Sequence, residues 1–172
     1  NLFMPLKKVY NYYPAVDSLA ELSKKYIVGY ETCLWTEYVP DNKTAEYQAF
    51  PRNVAAAEVG WTSRENKDWE SFRERMPKIL ATLDLKGVQY CPVYYDVIFD
   101  YDRNIGFPKP MNLEIEDPTA VIRYTLDGSI PTAKSPVYGG KPFMVDKGSI
   151  IKARGFRGGK AIGKTVTKEF PK

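Results

Sequence analysis

The sequence predicts an α+β chain in two parts. Up to residue 92, apolar residues recur with helical spacing. From residue 93 on, short alternating runs are punctuated by turn residues. With 172 residues, the chain has room for one large domain or two small ones, and we place the boundary between residues 1–92 and 93–172.

In the first part, residues 1–14 read as a loop, with Pro5, Pro14 and the aromatic group Tyr10, Tyr12 and Tyr13. Asp17 is the expected N-cap of a short helix reaching Lys25, with Leu19 and Leu22 on one face. Residues 26–38 (YIVGYETCLWTEY) are rich in β-formers and predict a buried strand. Helical turns resume over 44–50, Pro51 resets them, and 53–61 continues, with Ala55, Ala56 and Ala57 allowing close packing. Asn66 is the expected cap of a longer helix, on which Trp69, Phe72, Met76, Ile79, Leu80 and Leu83 form one stripe. Pro77 predicts a kink in it, and Gly87 an ending.

In the second part, residues 94–101, 111–116, 121–126, 142–145, 149–156 and 163–170 read as strands of a small antiparallel sandwich. Asp127-Gly128, following the alternating Ile122, Tyr124 and Leu126, marks a turn.

Composition excludes several chemistries. Histidine is absent, so Ser-His-Asp and Cys-His catalysis and His-containing metal sites are ruled out. Two cysteines, Cys33 and Cys91, are too few for a disulfide scaffold or a zinc ribbon; they read as free thiols or as one pair. No apolar run approaches the ~20 residues that span a bilayer. The chain opens at Asn1 without a basic-then-apolar leader, which we read as a processed product or a piece of something longer.

The net charge of +4 is uneven: ten Lys/Arg in residues 134–172 stand against Asp146 and Glu169, giving +8 there and −4 elsewhere. Such a balance marks a polyanion-binding surface or, as we prefer, lysines that guard exposed strand edges. Residues 158–165 spell G-x-x-x-x-G-K-T, a literal phosphate-loop match. That loop works only where a helix leaves it, and Val-Thr-Lys-Glu-Phe-Pro-Lys is a strand pattern, so we expect a glycine-rich hairpin turn.

The 26–38 segment carries the functional signal. Strand alternation puts Gly29, Glu31, Cys33, Trp35 and Glu37 on one face, and Val28, Tyr30, Thr32, Leu34 and Thr36 on the face that helices cover. An indole beside carboxylates suits a sugar: its face stacks on the apolar side of the ring, and a carboxylate accepts from the hydroxyls. The alternative is that Glu31 and Glu37 pair with arginines of neighbouring strands. The two cannot be a glycosidase acid–base pair, because six strand residues separate them by about 20 Å where ~5–9.5 Å is needed.

The run Gly29-x-Glu31-x-x-x-Trp35-Thr36-Glu37 resembles the last barrel strand of family 20 glycoside hydrolases, the β-N-acetylhexosaminidases. Phe50-Pro51-Arg52, Ala57-Glu58-Val59-Gly60-Trp61, then Trp69, Phe72, Arg75 and Gly87-Val88-x-Tyr90 are similar to that family's following helices. Pro5-Leu6-Lys7-Lys8-Val9-Tyr10 resembles the stretch after its seventh strand. Tyr124-Thr125-Leu126-Asp127-Gly128-Ser129-x-Pro131-Thr132, Ser135-Pro136-x-Tyr138 and Ile151-Lys152-Ala153 resemble the small sandwich that often follows these barrels.

The resemblance implies the last β/α units of a (β/α)8 barrel followed by a small immunoglobulin-like sandwich. It implies exo-hydrolysis of terminal N-acetylhexosamines by a substrate-assisted retaining mechanism, without metal or cofactor. In that mechanism a Glu protonates the leaving oxygen and an adjacent Asp orients the substrate's acetamido group. No Asp-Glu dipeptide occurs in this sequence, so no catalytic residue is expected in this chain and the chain alone is expected to be inactive. What carries over is Trp35, as a wall of the terminal-sugar pocket, and Glu37, as a holder of hydroxyls. Glu31 reads as structural, Tyr12 and Tyr13 as rim residues, and Pro51, Arg52, Glu58 and Trp61 as helix packing and ion pairing. Expected partners are a carbohydrate substrate and the rest of the barrel, with no nucleic acid and no membrane span; secretion or a periplasmic location follows from the resemblance. The alternatives are a non-catalytic carbohydrate-binding module and a structural β-sandwich.

Overall fold

The computed structural model describes residues 4–15 and 18–172 and divides the chain into two compact units, Asn1–Cys91 and Pro92–Lys172. Asp17, the expected helix cap, lies outside the described residues.

The first unit is helical. Its opening helix, α1 (Leu6–Tyr10), falls where the sequence reading had a loop. The signal for it is the i, i+4 pair Leu6 and Tyr10, both fully buried. A single turn, α2 (Glu21–Lys24), is all that forms of the short helix expected over 17–25. The helix α3 (Asn42–Ala49) is capped by Asp41, whose side chain accepts from the Thr44 N–H at 2.7 Å. That bond holds the Asp41 carboxyl below the usual carboxylate range.

Next comes α4 (Arg52–Trp61), which buries Ala55, Ala56 and Val59 and packs against α1. Arg52 fastens its start, donating to the Met4, Tyr47 and Gln48 carbonyls. The long helix α5 (Trp69–Leu85) buries Phe72, Met76, Leu80 and Leu83, the expected stripe. Its cap is Asp68 rather than Asn66: the Ser71 N–H donates to Asp68 at 3.1 Å, while Asn66 sits in a separate 3-10 turn, Arg64–Asn66. The helix runs on through Pro77, which lies on the exposed side where water can solvate a lost backbone bond. It ends at Gly87 (φ +71), with Val88 N–H donating to the Leu83 carbonyl and Gly87 N–H to that of Asp84, a Schellman closure. Arg75 of α5 clamps Glu58 of α4 through both guanidinium nitrogens, at 2.5 and 3.3 Å. The rings of Tyr10, Trp69 and Phe72 meet at 5.0–5.7 Å at the centre of this unit.

The strand expected over 26–38 is not formed. Tyr26 lies in a turn, residues 27–35 form neither helix nor strand, and Thr36–Tyr38 is a 3-10 turn. A β-former sequence becomes a strand only beside a neighbour that takes its N–H and C=O groups, and helices cannot do that. Val28 is accordingly fully exposed, and Tyr26 and Tyr38 are largely so.

The second unit holds two three-stranded antiparallel sheets. One consists of β1 (Ile98–Asp100), β2 (Lys109–Glu114) and β4 (Phe143–Val145), in the order β1-β2-β4. The other is β3 (Val121–Thr125), β5 (Ile150–Arg157) and β6 (Lys160–Glu169), in the order β3-β5-β6. The run 94–101 splits into a 3-10 turn, Pro92–Tyr95, and the short β1. Both sheets contribute to one core, with Met111 and Leu113 from β2, Ile122 from β3, Val145 from β4, and Ile151 and Ala153 from β5.

The phosphate-loop match falls on the β5–β6 hairpin. Gly158 and Gly159 make its turn at φ +55 and +77, and the rest is strand β6. Gly128 takes φ +75 after Asp127, and the following loop returns to bridge β3 through Arg123 and Val137. Two buried acids are satisfied locally. Asp117 accepts from the Thr119 N–H and hydroxyl and from Arg157, and Asp96 from the Lys164 N–H and ammonium.

Candidate functional site

The 27–35 segment reaches α4 through two side chains. The Tyr30 hydroxyl donates to the Ala56 carbonyl, and Thr32 Oγ1 to Asn53 Oδ1 at 3.2 Å. These two residues belong to the face assigned to helix cover. On the opposite face Cys33 Sγ lies 4.0 Å from Glu31 Oε1. Of that face only Tyr30 and Thr32 reach α4, since Val28 and Leu34 are exposed. Its far end is anchored by α3, where Gln48 Nε2 donates to the Tyr38 carbonyl at 3.1 Å.

Trp35 keeps extended backbone angles and is 79% exposed. From Thr36 the chain turns with about three residues per revolution, so Glu37 leaves the face it would share with Trp35 in a strand. Glu31 and Glu37 are both exposed, and neither takes an ion pair among the described residues, so the arginine-pairing alternative finds no support here. Cys33 is exposed and Cys91 buried, and both are free thiols.

Beside this segment is a cleft of about 380 Å³ lined by Tyr30, Thr32, Asn53, Ala56, Ala57, Gly60 and Trp61. Burial pushes the Tyr30 hydroxyl up, against a smaller opposing effect of a backbone hydrogen bond at Gly60. It therefore remains a neutral donor. Tyr12 packs its ring 5.8 Å from that of Tyr30, whereas Tyr13 lies under the Arg64 guanidinium at 4.7 Å. The cleft offers a hydroxyl, an amide and an indole face, but its lining has no carboxylate to move a proton. Such a lining suits a polar ligand with an apolar side.

Trp61 corrects the sequence reading, which gave it a packing role: it is 92% exposed. It follows Val59 by two helical positions, about 200° around the axis, so it points away from the buried stripe of α4. That spacing was visible in the sequence and identifies Trp61 as a lining residue. Pro51, Arg52 and Glu58 do pack and pair as expected. Among the described residues, no group of three or more Cys, Asp or Glu is placed to hold a metal ion, and no helix is long and apolar enough to cross a membrane.

Comparison with known proteins bears on the same segment. Residues 1–64 match the family described as glycosyl hydrolase family 20, catalytic domain, and residues 111–170 match the one described as Fn3 associated. A beta-hexosaminidase of Porphyromonas gingivalis is 31% identical over 138 residues, which is 79% of this chain and 18% of that protein. A beta-hexosaminidase of Akkermansia muciniphila is 35% identical over 71 residues, covering 41% of this chain and 14% of the relative. A beta-N-acetylhexosaminidase of Cellulomonas fimi is 31% identical over 64 residues, 37% of this chain and 13% of its own length. The chain thus spans less than one-fifth of each of these relatives.

Proposed function

Residues 1–64 being a segment of a glycosyl hydrolase family 20 catalytic domain, we propose that the chain serves as the C-terminal part of a β-N-acetylhexosaminidase. The single observation that carries this is the 138-residue alignment, which continues past the catalytic-domain match. In this reading residues 1–92 are the last β/α units of the barrel, and 93–172 are an immunoglobulin-like sandwich. The unpaired 26–35 segment takes its place as a barrel strand once neighbouring strands are present. Trp35 then faces the terminal N-acetylhexosamine as a stacking wall, and Glu37 accepts from its hydroxyls. Their exposure suits that role, since both side chains are open to a ligand.

The acid that protonates the leaving oxygen and the Asp that orients the acetamido group belong to the part of the enzyme outside this chain. The contribution of this chain is positioning: an indole face restricts the ring's tilt, and a carboxylate fixes its rotation.

The test is hydrolysis of an aryl β-N-acetylglucosaminide by the 172-residue chain and by a protein extended at its N-terminus to the length of the relatives. Activity is expected only in the longer protein. In it, Trp35→Ala and Glu37→Gln should each lower kcat/KM by about tenfold or more, the loss of a stacking face or of a charge-assisted hydrogen bond. Hydrolysis by the short chain, or none by either, would overturn the proposal. In the second case a binding module becomes the better account.

A further inference from the structure

Glu37 sits in the middle of a very short backbone element. Thr36–Tyr38 is a single 3-10 turn, closed by Val39 N–H donating to the Thr36 carbonyl at 3.0 Å. All three of its residues are exposed, so no core packing holds it. One isolated turn with one backbone bond does not keep its shape unaided. Something else must fix where the Glu37 carboxylate points.

Among the described residues, Gln48 is the only side chain that hydrogen-bonds to this turn: its Nε2 donates to the Tyr38 carbonyl at 3.1 Å. Gln48 does so from a fixed base. It lies half-buried in the last turn of α3. The carbonyls at that end, of Tyr47 and of Gln48 itself, both accept from Arg52 Nη1, at 3.4 and 2.7 Å. Glu46 Oε2 accepts from the Gln89 N–H at 2.8 Å, which ties the same turn of α3 to the chain beyond α5. Asp41 caps the start of the helix. On the other side of Glu37, the nearest side-chain anchor is Thr32 on Asn53. Gln48 is therefore the anchor next to Glu37, one residue away along the chain. The contact closes within residues 36–48, so it does not depend on which strands flank 27–35.

We propose that Gln48 is a positioning residue: by holding the Tyr38 carbonyl, it sets the direction in which the adjacent Glu37 carboxylate meets the sugar hydroxyls. Gln48 itself touches no substrate. The inference rests on the hydrolase reading above, which supplies the sugar. A carboxylate on a loose turn still binds hydroxyls, but it gives up the orientation that fixes the ring. Tyr38 is exposed, so water can replace the amide at its carbonyl, and the fold should lose little when the amide is removed.

The test has two arms. In the 172-residue chain, hydrogen exchange at Val39 reads whether Gln48 holds the turn. Gln48→Met keeps the length of the side chain without its donor and should speed that exchange about fivefold, the loss of one neutral hydrogen bond. In the protein extended to the length of the relatives, Gln48→Met should lower kcat/KM for the aryl β-N-acetylglucosaminide about fivefold, with KM raised. Gln48→Glu, which sets an oxygen against the carbonyl, should lower it at least as far. A variant that merely unfolded in part would lose apparent kcat at unchanged KM. The deciding comparison is a double-mutant cycle with Glu37→Ala. Without the carboxylate there is nothing to orient, so Gln48→Met should then cost less than about twofold. Unchanged exchange at Val39, an unchanged KM, or a further loss of about fivefold on top of Glu37→Ala would each overturn the inference. If the extended protein is inactive, or if Glu37→Ala leaves it unchanged, the hydrolase reading falls and takes this inference with it. A harmful Glu37→Ala beside a silent Gln48→Met sinks this inference alone.

Discussion

Gly163→Ala is expected to unfold the second unit far more readily than any other single methyl added to it. Gly163 sits at φ +60, within the irregularity where β6 faces Ala153 and Gly155 of β5. A Cβ there would lie 2.4 Å from the Tyr95 carbonyl oxygen, 2.8 Å from its carbon and 2.9 Å from Asp96 Oδ1. The two nearest of these are backbone atoms of Tyr95, so the backbone of the 3-10 turn must move. Left-handed backbone costs an alanine about 1–2 kcal/mol, and overpacking adds about 1–3 kcal/mol, so a loss of about 2–5 kcal/mol is expected. Gly158→Ala is the control, because φ is +55 there but no atom lies within 4 Å of the added carbon. It should show the backbone cost alone. Denaturant midpoints of the two variants measure the difference. Equal losses would mean that the close approach of Tyr95 contributes nothing.

The second large effect belongs to the helical unit. Phe72 is completely buried, with Tyr10 and Trp69 against its ring and the Arg75 guanidinium 5.8 Å from its centroid. Phe72→Ala removes the middle member of that cluster and leaves a cavity that α1 and α4 cannot fill without losing their own contacts. A loss of about 3–5 kcal/mol is expected, enough to disorder most of the unit at ambient temperature. Trp61→Ala deletes a larger ring and should change stability by less than about 0.5 kcal/mol, because that ring is already in water. Thermal unfolding followed by near-ultraviolet dichroism separates the two. Comparable losses would show that Trp61 is packed and would remove it from the cleft.

What could be read in advance divides along a physical line. The long helix α5 was legible because its stripe of Phe72, Met76, Leu80 and Leu83 and its Gly87 ending are local facts of the chain. The strands of the second unit were legible for the same reason, together with the glycine turn at 158–159. Asn66 was mistaken for Asp68 because both are good caps two positions apart, and only the geometry of Ser71 decides between them. The 26–38 segment was misjudged because a strand is a relation between two segments, and its β-formers say nothing of whether a partner is present. Trp35 was read as an indole beside carboxylates on one face of a buried strand; its exposure is a finding of the structure. That Glu37 turns off its face depends on the 3-10 turn, which alternation alone does not reveal.

The turn at Pro92–Tyr95 also says where the second unit can be excised. Its first paired strand begins at Ile98, and a cut just before it would seem economical. Such a piece would lack the Tyr95 carbonyl that fills the hollow over Gly163 and the Asp96 carboxylate that accepts from Lys164. A hole and an orphaned N–H would open along β6. The module that can be moved intact between proteins therefore starts at Pro92, six residues before its sheet.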